Sequence, residues 1–387
     1  MNAEAIPQEI IINPEDKAVV VTPEVNKAFP ELAEAFQDAN EAFWHDTTDY
    51  LENLGQSVFS FRSKGGLRAR VTASLITGEN PGNELAVVYA PFSDGPPNSS
   101  TEDIRDYMLQ RKPISKSRAA PNSWSQVTKS VVLSELLRFA DDDMPVLTIF
   151  SPVPTGAYNY WQRREFKLGD FRSAANITEE AVDIVQEKLH GRDSETQITK
   201  LHLHGASLGA SNAIGAGSEF HQRGYDFDIR SVTAQELIIG PKNIPDLAAK
   251  FMVKSTVGEA SDIIVPADYP RIKEPHMRNL IDRDGYELAT FGRMLNGMSK
   301  RTYLKGLTKP GKNMMPHNIE YLLENDVPLV VALAENSGLT QDTAKYLTGH
   351  EDVIHIRAES GHKANHLVNE HVALTALIAT LNIRRSR

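Results

Sequence analysis

The stretch that most constrains this chain is Gly205-Ala206-Ser207-Leu208-Gly209. Before it, Gln197-Ile198-Thr199-Lys200-Leu201-His202-Leu203-His204 alternates with a period of two. After it, Ala210-Ser211-Asn212-Ala213-Ile214-Gly215-Ala216-Gly217 continues at helical spacing to Gly224. A strand must therefore end, reverse and become a helix within a few residues. A serine lifted onto so tight a turn takes a strained backbone, and side chains two positions to either side would collide. Gly205 and Gly209 remove those side chains. The helix begins beside the serine, so its unpaired N–H groups and positive end lie where an oxyanion would form. Ala210, Ala213, Ala216 and Gly217 keep the helix slim enough to lie close against a sheet.

With 387 residues, 41% of them hydrophobic and 24% charged, the chain suffices for one large α/β domain with an insertion, or for two domains. A formal net charge of −10 argues against nucleic acid or an anionic membrane as the main partner. The complete lack of cysteine excludes thiol nucleophiles, thiolate metal sites and disulfides. The first residues show no signal-peptide pattern, and no apolar run approaches the ~18 residues a membrane span needs. The expectation is a soluble, cytoplasmic protein.

Around the turn, strand and helix patterns alternate. Apolar residues at helical spacing (Leu32, Phe36, Phe43, Trp44, Leu51) follow a polar arm with one β-like run, Ala18–Val21. Residues 57–62 and 67–76 read as a hairpin across Gly65-Gly66, and Glu84–Tyr89 as a strand buried on both faces. Strands are expected at 145–150, 229–239, 328–333 and 353–356. Helices are expected at 123–139, at 178–189 started by Asn176 or Thr178, at 340–348 and at 364–381. Such alternation gives a mostly parallel sheet flanked by helices. Residues 242–325 break the rhythm with Pro-separated helices and hold six of the nine methionines. The closing Arg384–Arg387 reads as a frayed end.

This order resembles the α/β-hydrolase fold over roughly residues 56–387. The resemblance rests on the turn at Ser207, the insertion before the penultimate core strand, and Gly361-His362 between the last strand and the last helix. It implies an N-terminal arm and helix (1–55), a core in two parts (56–241 and 326–387) and a helical cap (242–325). It also implies a serine nucleophile, a histidine base and an orienting acid in that chain order. Ser207 is then the nucleophile. His276 and His317 fall in the cap, His355 in a strand, and His366 and His371 in the last helix, which leaves His362 as the base. Glu335, after strand 328–333, is the preferred acid, with Asp342 and Glu236 as alternatives; Ser337 occupies the position where an Asp is commoner. The oxyanion donors would be the N–H of Leu208 and that of Phe92, with Ser93 the second choice, since Pro91 has none.

The expected reaction is cleavage of a carboxylic ester, or of a thioester or amide, through an acyl-enzyme, without cofactor or metal. The Met-rich cap suggests a small-molecule substrate with an apolar acyl or aromatic part. Acyl transfer by the same triad and a non-catalytic binding protein on this scaffold are the alternatives. Gly306–Asn313 nearly spells a phosphate loop, but Asn313 replaces the magnesium-binding hydroxyl and no strand leads in. His350–His355 is one residue too long for a zinc-protease helix motif. His202 and His204 share one strand face, where buried, hydrogen-bonded structural roles are expected. Arg163-Arg164, with Trp161, Tyr158 and Tyr160, sits beyond strand 145–150 and suits substrate contact or loop packing equally.

Overall fold

The structure, a computed structural model, describes residues 8–11, 18–21, 57–63, 70–89, 143–150, 171–191, 194–237, 239, 315–334, 340–350, 353–358, 378–384 and 386. Ten strands form one sheet: β1 (Gln8–Ile11), β2 (Ala18–Val21), β3 (Ser57–Arg62), β4 (Arg70–Ile76), β5 (Glu84–Tyr89), β6 (Val146–Phe150), β7 (Lys200–Ala206), β8 (Asp228–Gln235), β9 (Leu329–Ala334) and β10 (Ile354–Ala358). The helices are α1 (Arg172–Leu189), α2 (Leu208–Arg223), α3 (Met315–Glu324) and α4 (Gln341–Leu347), with helical residues at 378–384. The expected helices at 30–54 and 123–139, and most of the expected cap, lie outside the described residues.

In the sheet the order is β1-β2-β10-β9-β8-β7-β5-β6-β4-β3. From β10 across to β6 every neighbouring pair is parallel. Antiparallel pairs close both ends: β6 with β4 and β4 with β3 at one, β10 with β2 and β2 with β1 at the other. The expected 57–76 hairpin is present, with Ser57 opposite Leu75 and Arg62 opposite Arg70. At the other edge, β2 is the β-like run of the polar arm, whereas β1 was not expected. The hairpin β1–β2 lies along β10 and covers an edge that would otherwise present unpaired backbone groups.

One face of the sheet is apolar and carries the described long helices. Leu85, Val87, Leu201, Leu203, Val232, Ala234, Val331 and Leu333 pack against Ala175, Val182 and Val185 of α1, Ala213, Ile214 and Phe220 of α2, and Ile319 and Leu322 of α3. Ala210, Ala213 and Ala216 are fully buried, as a slim helix requires. Gly215 is needed where Phe171 lies: a Cβ there would occupy the space of the phenyl ring. α2 ends at Gly224, whose φ of 62° suits a left-handed cap, and Tyr225 N–H reaches back to the Phe220 carbonyl at 3.2 Å. Met315, expected in the insertion, is fully buried in this core layer.

Two boundaries differ from expectation. α1 begins at Arg172, six residues before Thr178, because its supposed capping residues make other bonds. The Thr178 hydroxyl donates to the Ala174 carbonyl (2.8 Å) and therefore accepts from the Tyr89 phenol (2.6 Å), while Asn176 Oδ1 accepts from the Tyr225 hydroxyl (3.1 Å). Burial pushes the Tyr89 phenol far up, so it stays a neutral donor that ties the end of β5 to α1. Ser386, expected in a frayed end, is held: residues 378–384 are helical, Ser386 N–H bonds the Asn382 carbonyl at 3.2 Å, and Arg230 of β8 donates to the Ser386 carbonyl.

The other sheet face is also buried and mixes aliphatic residues (Ala86, Val88, Val330 and Ala332) with polar ones. Thr148, His202, His204, Ser231, Thr233 and Gln235 lie on it, and Asn382 from the C-terminal helix bonds the Thr233 hydroxyl (3.2 Å) and the Val232 carbonyl (3.1 Å). His202 matches expectation: its ring meets the Ser231 hydroxyl at 2.9 Å and the Glu84 carboxylate at 3.4 Å. His204 does not. Although it is buried, neither ring nitrogen has a hydrogen-bond partner. Burial lowers its pKa from 6.5 to about 3, so the fold holds it neutral. An unfolded chain binds the proton near pH 6.5 and the native state does not, so stability falls as pH drops from about 6.5 toward 3, by at most about 1.4 kcal/mol per pH unit. In His204→Leu the loss of melting temperature between pH 6.5 and 5 should be shallower than in the wild type. Parallel Tm–pH curves for the two proteins would refute this account.

Candidate active site

Sheet connectivity marks one place for a site. The chain leaves β5 for β6 on one side, and β7 lies on the other, so the C-terminal ends of β5 and β7 flank a switch point. In open parallel sheets, ligands bind in the crevice at such a point. Ser207 stands there, immediately after β7.

Ser207 has φ 54° and ψ −114°, outside the regions open to a residue with a side chain. It is held in this conformation from both sides. Its N–H bonds the Gln235 carbonyl of β8 at 2.7 Å, and its own carbonyl accepts from Ser211 N–H at 3.3 Å as α2 begins. The reversal needs Gly205, because a Cβ at that position would overlap the Gly209 carbonyl. A serine at a helix N-cap ordinarily caps it through its hydroxyl; Ser207 makes no such bond. The side chain is therefore presented by the backbone and is not used in ending the strand. Leu208 is the first residue of α2, where helix geometry leaves the N–H without an intrahelical acceptor.

Strand order, switch point and strained serine turn together decide the architecture. This is the α/β-hydrolase fold. No family model matches the sequence, and no curated protein matches it. Among solved structures the chain is similar to carboxylesterase CesB (YbfK) from Bacillus subtilis, at 11% identity and TM-score 0.44, covering 89% of this chain and 97% of that one. It is also similar to the α/β hydrolase GrgF from Penicillium sp. sh18, at 15% identity and TM-score 0.44, covering 85% and 98%. A third is a thioesterase domain from the curacin biosynthetic pathway, at 13% identity and TM-score 0.43, covering 85% and 99%. The strand order and the turn at Ser207 carry the assignment by themselves.

Of the expected site residues, the structure places Ser207 and the backbone of Leu208. Phe92 and Ser93, Glu335 and His362 lie outside the described residues, as does the cluster 158–164. Asp342 falls in the first turn of α4. Of the histidines set aside, His317 is exposed on α3 and His355 lies within β10. Among the described residues no group of acidic or histidine side chains is arranged to hold a metal, and no helix is long and apolar enough to cross a membrane.

Glu236 differs from the sequence reading. The run 229–239 was expected to be one strand, yet β8 stops at Gln235 because Glu236 turns the chain with φ 55°. Glu236 is fully buried, and its N–H bonds the Ala332 carbonyl of β9 at 2.7 Å. Beyond it, the chain is fastened to α4: the Thr343 hydroxyl donates to the Leu237 carbonyl (2.8 Å) and accepts from Ile239 N–H (2.9 Å). A carboxylate at a β8 terminus that looks like mid-strand in the sequence had no signal beyond its charge within an apolar run.

Gly205→Ala tests the turn. The added methyl group meets backbone and not a movable side chain, so a loss of about 1–3 kcal/mol is expected, measured by urea unfolding. A variant as stable as the wild type would show that β7 and α2 do not approach this closely.

Proposed function

We propose that this chain is a serine hydrolase that cleaves a carboxylic ester, or the related thioester or amide, through an acyl-enzyme. The observation that carries the reading is Ser207: a strained backbone at the switch point, with a hydroxyl that does not cap the adjoining helix. Strain retained at the end of a regular strand is what functional positioning looks like.

In this reading Ser207 Oγ attacks the substrate carbonyl as His362 takes its proton, since a serine hydroxyl is a poor nucleophile at neutral pH without a base. His362 then returns the proton to the leaving group, and water repeats the sequence to release the acid. A carboxylate holds the imidazole in the right tautomer; Glu335 is the one the sequence favours. The N–H of Leu208, with that of Phe92 from the loop after β5, receives the developing oxyanion. Each such donor typically contributes about 3 kcal/mol to the transition state. Tyr89, anchored to Thr178, fixes the root of that loop. The substrate expected from the Met-rich insertion is a small molecule with an apolar acyl or aromatic part.

Incubation with a fluorophosphonate probe and peptide mapping by mass spectrometry should place the label on Ser207. Ser207→Ala and His362→Ala should lower p-nitrophenyl ester turnover by a factor on the order of 10⁴ or more. Turnover should also rise with acyl chain length across an ester panel. Folded wild-type protein that takes up no label would overturn the hydrolase reading, and a flat chain-length profile would overturn the apolar pocket.

A further inference from the structure

We propose that the chain encloses a binding site for one internal water molecule where the C-terminal helix meets β8, held by His204, Thr233 and Asn382. The site stands apart from the hydrolase reading and uses none of its residues. Two neighbouring pairs on one ladder differ. In the β7–β8 register His202 lies opposite Ser231 and His204 opposite Thr233, so a pairing of imidazole with hydroxyl occurs twice in succession on one face. The first pair bonds directly at 2.9 Å, and Glu84 meets the other ring nitrogen of His202 at 3.4 Å. The second pair does not bond. Both ring nitrogens of His204 are buried with no hydrogen-bond partner among the described residues.

Asn382 accounts for the difference. Its Nδ2 shares its hydrogens among the Val232 carbonyl (3.1 Å), the Thr233 hydroxyl (3.2 Å) and the Pro328 carbonyl (3.4 Å). A carbonyl oxygen only accepts, so two of them fix which end of the amide is nitrogen. Thr233 is stiff about χ1, and its oxygen is engaged by Asn382 and not by the imidazole. Asn382 is fully buried, and its Oδ1 also has no partner among the described residues. Unmet buried polar atoms are costly, and here they stand on both sides of one threonine.

These atoms are complementary. Burial keeps the His204 imidazole neutral, with one N–H donor and one accepting nitrogen, whereas Asn382 Oδ1 only accepts. A single water accepts from the His204 N–H and the Thr233 O–H and donates to Asn382 Oδ1. That makes roughly three bonds, the usual complement of an internal water. Two groups joined through one water lie roughly 4.5–5.5 Å apart. Side chains on adjacent strands are rooted roughly 4.8 Å apart, which suits such a bridge. The chemistry also selects the occupant. An anion meets an uncharged ring and a cation meets too few oxygens, while water both donates and accepts.

Replacing His204 gives opposite signs for a hydrated and a dry site. With water bound, His204→Leu removes one member of a closed network and strands Asn382 Oδ1. The unfolding equilibrium constant at neutral pH, from urea titration, should then rise about 5- to 150-fold. In a dry site the same change removes two unmet polar atoms, and the variant equals or exceeds the wild type in stability. His204→Gln keeps a donor and an acceptor and should fall between the wild type and His204→Leu. A high-resolution crystal structure of the wild type should show an ordered oxygen within about 3.2 Å of a His204 ring nitrogen and of Asn382 Oδ1. The proposal is overturned if His204→Leu is no less stable than the wild type, or if His204→Gln is no more stable than His204→Leu. Empty density at this position, or a His204 ring bonded directly to a protein group, overturns it equally. Should His204→Leu fail to fold, the wild-type density decides alone.

Discussion

Everything about the site follows from how closely two backbones approach. At Gly205 the space a side chain would fill holds the carbonyl of Gly209, so α2 leaves β7 without an intervening loop. That contact fixes where the helix starts and which way its first N–H groups point. It also forces Ser207 into a conformation the residue would not choose. Such strain persists only where surrounding bonds outweigh it. Here they are the Ser207–Gln235 bond to β8, the first turn of α2, and a helix face of alanine and glycine buried flush on the sheet.

The two sheet faces divide the labour. The apolar face carries α1, α2 and α3, and its interdigitated aliphatic side chains supply the rigidity on which a positioned hydroxyl depends. The other face is unusual for a buried surface, with two histidines, two threonines, a serine and a glutamine among its aliphatic residues. Most of this polarity is satisfied locally, by Ser231 and Glu84 for His202 and by Asn382 for Thr233. His204 is the exception, and it lies three residues before Ser207, on the strand that leads into the turn.

Much of the architecture was legible because period-two and helical runs around Ser207 leave little freedom. The strands 57–62 and 84–89 and the helix ending at Gly224 could be read directly from alternation and from glycine. What failed were places where tertiary bonding overrode a local signal. Asn176 and Thr178 look like helix starts, yet their side chains serve Tyr225 and Tyr89, so α1 extends through them. Residues 236–239 look like strand, but a backbone turn at Glu236 followed by the Thr343 clamp draws them off the sheet. The strand β1 was missed because Gln8–Ile11 is short and gains its pairing only from β2. Of the candidate site the strained turn at Ser207 was legible, since its requirements are local. Side chains that would have to come from distant segments leave no comparable local imprint.

The hairpin β1–β2 is joined to a strand far along the chain, with Val21 beside Ile356. Its two strands can pair with each other early, but the pair has no sheet to join until β10 has been made. Completion of this edge therefore waits for β10, and pairing across so long a loop is intrinsically slow. Until then a nascent chain carries an unfinished rim, and the docking of the hairpin is a late step of folding.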